Sequence, residues 1–242
     1  MSNIFLLSKT RLFSQKLQNI PIQKLLINTL NAYCFNIAQK DKIYAEALRK
    51  SDILLPDGIS VVLATYFLKG MKLKKIAGAD LLYYEMNRLN INGGSCFFLG
   101  SNELTLQRIF NRAELEFPQV KVFKYSPPFK SEFSQEDNAK MVTSINISKP
   151  DVLFIGMTAP KQEKWAYQHF NELEVGHICC IGAVFDFYAG TINRAPKLMI
   201  YLGLEWFYRL LKEPRRMWRR YLIGNSKFIW LVIKEKFTRG KT

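Results

Sequence analysis

No run of eighteen apolar residues occurs in this chain, so nothing in it is expected to span a bilayer. A Gly-x-Gly-x-x-Gly is also missing, which removes the dinucleotide-binding fingerprint of a Rossmann dehydrogenase. There is no Asp-x-Asp, and the pairs Glu114/Glu116 and Glu172/Glu174 fall in or beside expected helices, where they read as solvated faces. With His169 and His177 the only histidines, ligands for a divalent metal are scarce. Neither a metal ion nor an organic cofactor is expected.

Cysteine is sparse as well. Cys34, Cys96, Cys179 and Cys180 form no Cys-x-x-Cys and lie mostly in apolar surroundings, so they read as reduced core residues of a cytoplasmic protein. The stretch from Met1 to Lys9 lacks the long apolar segment and small-residue cleavage site of a signal peptide. The 9 prolines and 13 glycines are scattered, without low-complexity linkers or repeats.

Acidic charge is in short supply: 20 Asp and Glu stand against 35 Lys and Arg, a formal charge of +15. The excess is concentrated after Gly190, where thirteen basic residues meet only Glu205, Glu213 and Glu235. Such a field attracts phosphates, whether in nucleic acid, at a lipid surface or in a diphosphate substrate. The same stretch interleaves aromatics, including Trp206, Tyr208, Trp218, Tyr221 and Trp230, with its basic residues. That alternation suits a helix lying at a membrane interface, or a helical tail docked on its own core. A nucleic-acid-binding protein is the competing reading, but it would place basic residues over the body of the chain rather than in its tail.

The body is 48% hydrophobic along with the rest of the chain, enough for a real core. Expected strands at Leu25–Leu30, Ser51–Leu55, Ser95–Leu99, Val120–Phe123, Val152–Ile155 and Ile178–Ile181 alternate with helical spacing. A further short strand is expected at Ile4–Leu7 and a helical turn at Phe13–Leu17. Alternation predicts an α/β fold, a mainly parallel, Rossmann-like sheet covered by helices on both faces. Residues 1–193 form the expected body and residues 194–242 a basic, aromatic helical appendage, removable after Tyr201 without unfolding the body.

Open α/β sheets bind ligands at the carboxyl ends of their strands, and this chain gathers chemistry there. Thr29 and Asn31 sit at the first strand-to-helix junction, as caps or as ligand contacts. Asp57, in Pro56-Asp57-Gly58, follows the second strand and serves either as a cap or as a base. Gly156 and Gly182 end later strands and allow close backbone approach. Gln162 can donate and accept, Glu163 either stabilises a helix start or meets ligand, and Asp186 stands just beyond a strand.

Pro56-Asp57-Gly58, Gly156 with Pro160-Lys161-Gln162-Glu163, Gly182 with Phe185-Asp186 and Ala189-Gly190, and Glu213-Pro214-Arg215-Arg216 with Arg219-Arg220-Tyr221 occur in one order over roughly Asn28 to Phe228. Together they resemble the WecG/TagA/CpsF family, glycosyltransferase family 26. The resemblance implies transfer of a sugar, such as N-acetylmannosamine or a related hexose or uronic acid, from a UDP-sugar to a polyprenyl-diphosphate-linked sugar, with inversion and without metal. The setting it implies is bacterial surface polysaccharide or teichoic acid assembly at the inner face of the cytoplasmic membrane, with a homo-oligomer left open. It makes Asp57 the general base and puts Thr29 and Asn31 in the active site. Lys75 stands where the family usually has an arginine beside the sugar diphosphate. Arg209, Arg216 and Arg219 match arginines that close over the site, and on one continuous helix they would share a face. Pro214 is placed to break that helix.

Overall fold

The computed structural model describes residues 5–238. Six strands form one sheet: β1 (Leu25–Leu30), β2 (Ile53–Pro56), β3 (Ser95–Gly100), β4 (Lys121–Tyr125), β5 (Val152–Gly156) and β6 (His177–Cys180). Their order is β2-β1-β6-β5-β3-β4, and every neighbouring pair is parallel. Parallel strands need crossovers, and the chain supplies α1 (Ala32–Ala38), α2 (Lys42–Arg49), α3 (Ile59–Lys69), α4 (Gly78–Asn92), α5 (Glu103–Glu116), α6 (Gln135–Ser148), α7 (Lys161–Gln168) and α8 (Val184–Tyr188).

Strand residues alternate between two faces, and the apolar clusters follow that alternation. Ile27, Leu55, Phe98, Phe154 and Cys179 pack on one face with residues of α4, α5 and α8. Phe97, Leu99, Leu153, Ile155 and Cys180 pack on the other with residues of α6 and α7. Beside them, Leu30 and Leu54 join residues of α1, α2 and α3. Both faces are covered, as the sequence predicted.

The amino terminus departs from expectation. Ile4 lies outside the described residues, and Phe5 and Leu6 are not in a strand; Leu7–Lys9 is a 3-10 turn. The expected helical turn falls at Leu17–Asn19 instead of Phe13–Leu17. Helix α6 was not anticipated, although Ser134 and Asp137 cap it reciprocally: Asp137 N donates to Ser134 Oγ at 3.1 Å, and Ser134 N donates to Asp137 Oδ2 at 3.0 Å.

After residue 190 come α9 (Lys197–Tyr201), α10 (Glu205–Lys212), α11 (Pro214–Trp218), a π-helical turn (Arg219–Ile223) and α12 (Gly224–Thr238). The expected appendage divides in two here. No residue of α10 is buried, whereas α12 buries Phe228, Val232 and Glu235, one helical face, against the body. Phe228 and Val232 join the cluster of Phe35, Val61 and Leu68. Glu235 accepts from the backbone of Leu7 at 3.1 Å and Ser8 at 2.7 Å, so its buried carboxylate is satisfied and ties the last helix to the first turn of chain.

Candidate active site

A cavity of about 300 Å³ lies at the carboxyl ends of β1, β2, β5 and β6. This is the edge of an open sheet where ligands bind. Thr29 enters from the end of β1, and Asn31 follows it. Asn31 Oδ1 accepts from Cys34 N at 3.0 Å, so the residue caps α1 and lines the cavity at once. Asp57 follows β2, and its backbone N donates to Leu30 O at 2.9 Å, extending the β1–β2 register by one residue. The turn into α3 requires Gly58 at φ 111°.

Gln162 is held by both ends of its amide. Met157 N donates to its Oε1 at 3.2 Å, and its Nε2 donates to Glu163 Oε1 at 2.9 Å. Glu163 is 1% exposed and its Oε2 has no hydrogen-bond partner among the described residues. Burial pushes its carboxyl up to about 7.

Asp57 sits deep in the protein but keeps partial exposure through the cavity. Burial pushes its carboxyl up to about 6, the Glu205 carboxylate adds to the rise, and Lys75 opposes it. Glu205, on α10, bridges two cations: Lys75 Nζ at 3.7 Å from its Oε2, and Arg194 Nε at 3.4 Å from its Oε1. Arg209 and Arg220 also line the cavity, and the Nε of each is buried without a hydrogen-bond partner among the described residues. Arg209 lies over the Phe187 ring at 5.3 Å and Arg220 over the Tyr33 ring at 4.2 Å. Trp206 meets Tyr221 edge-on at 6.1 Å on the same wall. A titratable carboxylate, several cations and flat aromatic faces thus surround one concave space.

Thr29, Asn31, Asp57, Lys75, Gln162, Glu163 and Arg209 are brought together around this cavity. Gly156, Asp186, Arg216 and Arg219 are not among its lining residues. A Cβ at Gly156 would stand 2.3 Å from the Phe185 ring, so the absent side chain there makes room for packing. Asp186 is partly buried, its carboxyl raised by desolvation against the pull of Arg216 and Arg209. Arg216 pairs with Glu213 at 2.6 Å, and Arg219 lies over Trp218 at 5.2 Å; both arginines are exposed. The helix expected to align the three arginines is interrupted before Pro214, where Glu213 has φ −133° and ψ 59°. In place of Arg216 and Arg219 the cavity receives Arg194, which the sequence offered only as part of a basic tail, and Arg220, which it offered within the Arg219-Arg220-Tyr221 motif but without a role. Arg220 was concealed by the π-helical turn, which changes the angular offset between residues on either side of it.

The family model of the WecG/TagA/CpsF glycosyl transferases matches residues 5–242. Among similar proteins, the N-acetylglucosaminyldiphosphoundecaprenol N-acetyl-beta-D-mannosaminyltransferase of Bacillus subtilis (strain 168) is 29% identical over 211 residues, 87% of this chain and 80% of that protein. The protein of the same name from Bacillus spizizenii is 28% identical over 84% of this chain and 77% of its own length. That from Staphylococcus aureus (strain MW2) is 27% identical over 92% and 86%. A match over nearly the whole chain, joined to a cavity at the strand ends that holds seven of the residues singled out in the sequence, means that this chain belongs to the WecG/TagA/CpsF glycosyl transferase family.

Proposed function

We propose that this protein transfers a sugar, N-acetylmannosamine in the first instance, from a UDP-sugar to a polyprenyl-diphosphate-linked N-acetylglucosamine at the cytoplasmic face of the membrane. The choice of sugar and acceptor follows the names of the related proteins. The observation that carries the chemistry is Asp57, a carboxylate of raised pKa just beyond β2, lining one cavity with Lys75, Arg194, Arg209 and Arg220.

Asp57 acts as general base. It takes the proton from the acceptor hydroxyl as that oxygen attacks the anomeric carbon, and a base titrating near neutrality is well matched to the task. The new glycosidic bond forms as the bond to UDP breaks, with inversion, which needs one base and no enzymic nucleophile. Negative charge develops on the departing diphosphate, and the surrounding cations supply the stabilisation, without metal. Gln162, its amide fixed at both ends, and Thr29 and Asn31 orient the sugar. Arg216 and Arg219, exposed on α11 and the turn after it, reach the diphosphate when the appendage closes. Gly156 supports the site indirectly, by leaving room for the Phe185 ring.

The test is UDP release from a panel of UDP-sugars with EDTA present, with and without a soluble polyprenyl-diphosphate-N-acetylglucosamine analogue. Acceptor-dependent release from one donor is the expected result. Release only in the absence of EDTA would remove the metal-free mechanism, and no release from any donor would overturn the assignment of substrates.

A further inference from the structure

Helix α3 begins two residues after Asp57, and it carries apolar side chains on two faces. Val61, Ala64 and Leu68 are buried in the cluster that also holds Phe228 and Val232 of α12. On the outside, Ile59, Leu63, Tyr66 and Phe67 are 36%, 60%, 52% and 46% exposed. Their spacing is i, i+4, i+7 and i+8, a single stripe along the helix. Alongside, α12 exposes Ile229, Trp230, Ile233 and Phe237 at 55%, 58%, 44% and 72%. The two helices are joined near their ends, where Lys236 Nζ donates to Phe67 O at 3.0 Å and lies over its ring at 5.4 Å. Two adjacent helices with apolar outer stripes exceed what scattered surface leucines would produce.

The charge around these stripes points to the occupant. Helix α3 contains no acidic residue, and the one in α12, Glu235, is buried against Leu7 and Ser8. Exposed Lys72 and Lys74 follow α3, and exposed Lys234 and Lys236 lie on α12. A second copy would bring basic side chains against basic ones, whereas acidic headgroups over an acyl layer match both the lysines and the stripes.

We propose that the outer faces of α3 and α12 form a docking surface for an anionic lipid bilayer, so that the body, and not the appendage alone, seats the enzyme on the membrane. This rests on the lipid-linked acceptor proposed above. Ile59 and Ser60, in the first turn of α3, line the cavity, and docking α3 therefore brings the cavity to headgroup depth, where the diphosphate of a polyprenyl carrier lies.

The experiment compares the full chain with Leu63→Glu/Phe67→Glu, two exposed positions that do not line the cavity. Leu115→Glu, on α5 and 85% exposed, is the control. Co-sedimentation with phosphatidylcholine vesicles, with and without phosphatidylglycerol, measures docking. The double variant is expected to lose about tenfold or more of its partitioning onto anionic vesicles, with the control unchanged. Its UDP release with the soluble acceptor analogue should match wild type, while release with acceptor embedded in vesicles falls. Undiminished vesicle binding by the double variant overturns the proposal, as does a shift from dimer to monomer on sedimentation velocity without lipid, which would assign the face to a second copy. If wild type itself releases no UDP with the soluble acceptor, the substrate reading fails, and the vesicle result still decides the docking surface.

Discussion

As the proposed base, Asp57 is placed where folding and catalysis make opposite demands. Its carboxyl titrates at about 6 in the fold against an ordinary 3.8, so between those values the folded state holds a proton that the unfolded chain releases. Stability therefore falls as pH rises through that window, and above it the folded protein bears the full cost of a desolvated carboxylate. Asp57→Asn removes that cost. The variant should be more stable than wild type at pH 7 by up to about 2 kcal/mol, allowing for the group's partial exposure, and the difference should vanish below pH 4 in thermal melts. Its turnover should drop by about 10²–10⁴-fold; a folded variant that kept wild-type turnover would remove Asp57 as the base. Glu205 supplies part of the rise in Asp57 and neutralises Lys75 and Arg194. Glu205→Gln should thus move the acid limb of the kcat/KM profile to lower pH and lower the KM for the UDP-sugar, since both cations are released toward the diphosphate. A limb that stays in place would show that Glu205 does not act on Asp57.

Helices α10 and α12 are neighbours in the chain but differ in their attachment to the body. Helix α10 carries Glu205 and Arg209 to the cavity with no residue fully buried, so its position depends on the Lys75–Glu205–Arg194 bridge and on aromatic contacts such as Arg209 over Phe187. These bridges are long, at 3.7 and 3.4 Å, and only partly buried, so each contributes little, which suits a segment that moves over substrate. Helix α12 is core. Phe228 is 2% exposed and meets Phe35 edge-on at 5.1 Å. Phe228→Ala should cost about 3–5 kcal/mol, read as a shifted denaturation midpoint at unchanged slope. Truncation after Tyr201, expected from the sequence to spare the body, should instead lower its stability, because it strips Phe228, Val232 and Glu235 from their partners. An equal melting temperature for the truncated chain would show that α12 is dispensable to the fold.

For the molecule as a whole, the charge of +15 and the apolar outer stripes would make different contributions to the proposed membrane binding. Electrostatic attraction is screened over about 3 Å at 1 M salt, against about 10 Å at 0.1 M, while burial of Leu63, Trp230 and Phe237 is not weakened by screening. Binding to anionic vesicles should fall steeply with added salt and level off above zero. Complete release at high salt would mean that charge alone holds the protein. No helix among the described residues is long and apolar enough to cross a membrane, so attachment of this kind rests on surface contacts.

The sequence by itself determined the alternation of strands and helices, hence the parallel sheet, because burying both faces demands apolar strands of a recognisable length. It also determined which residues stand at strand ends and in the helical turn that follows: Thr29, Asn31 and Asp57 at the ends of β1 and β2, and Gln162 at the start of α7, follow local pattern and turn chemistry, and the cavity contains them all. Tertiary structure decided the rest. The break at Glu213 and the π-helical turn after it chose Arg220 over Arg216 and Arg219 for the cavity wall, because helical phase is lost wherever the hydrogen-bond ladder changes step. The role of Glu205 depends on a contact with Lys75 across 130 residues of chain, and that of Gly156 on the Phe185 ring that occupies its missing side chain. Neither is visible in local spacing, since each is fixed by what the fold brings opposite.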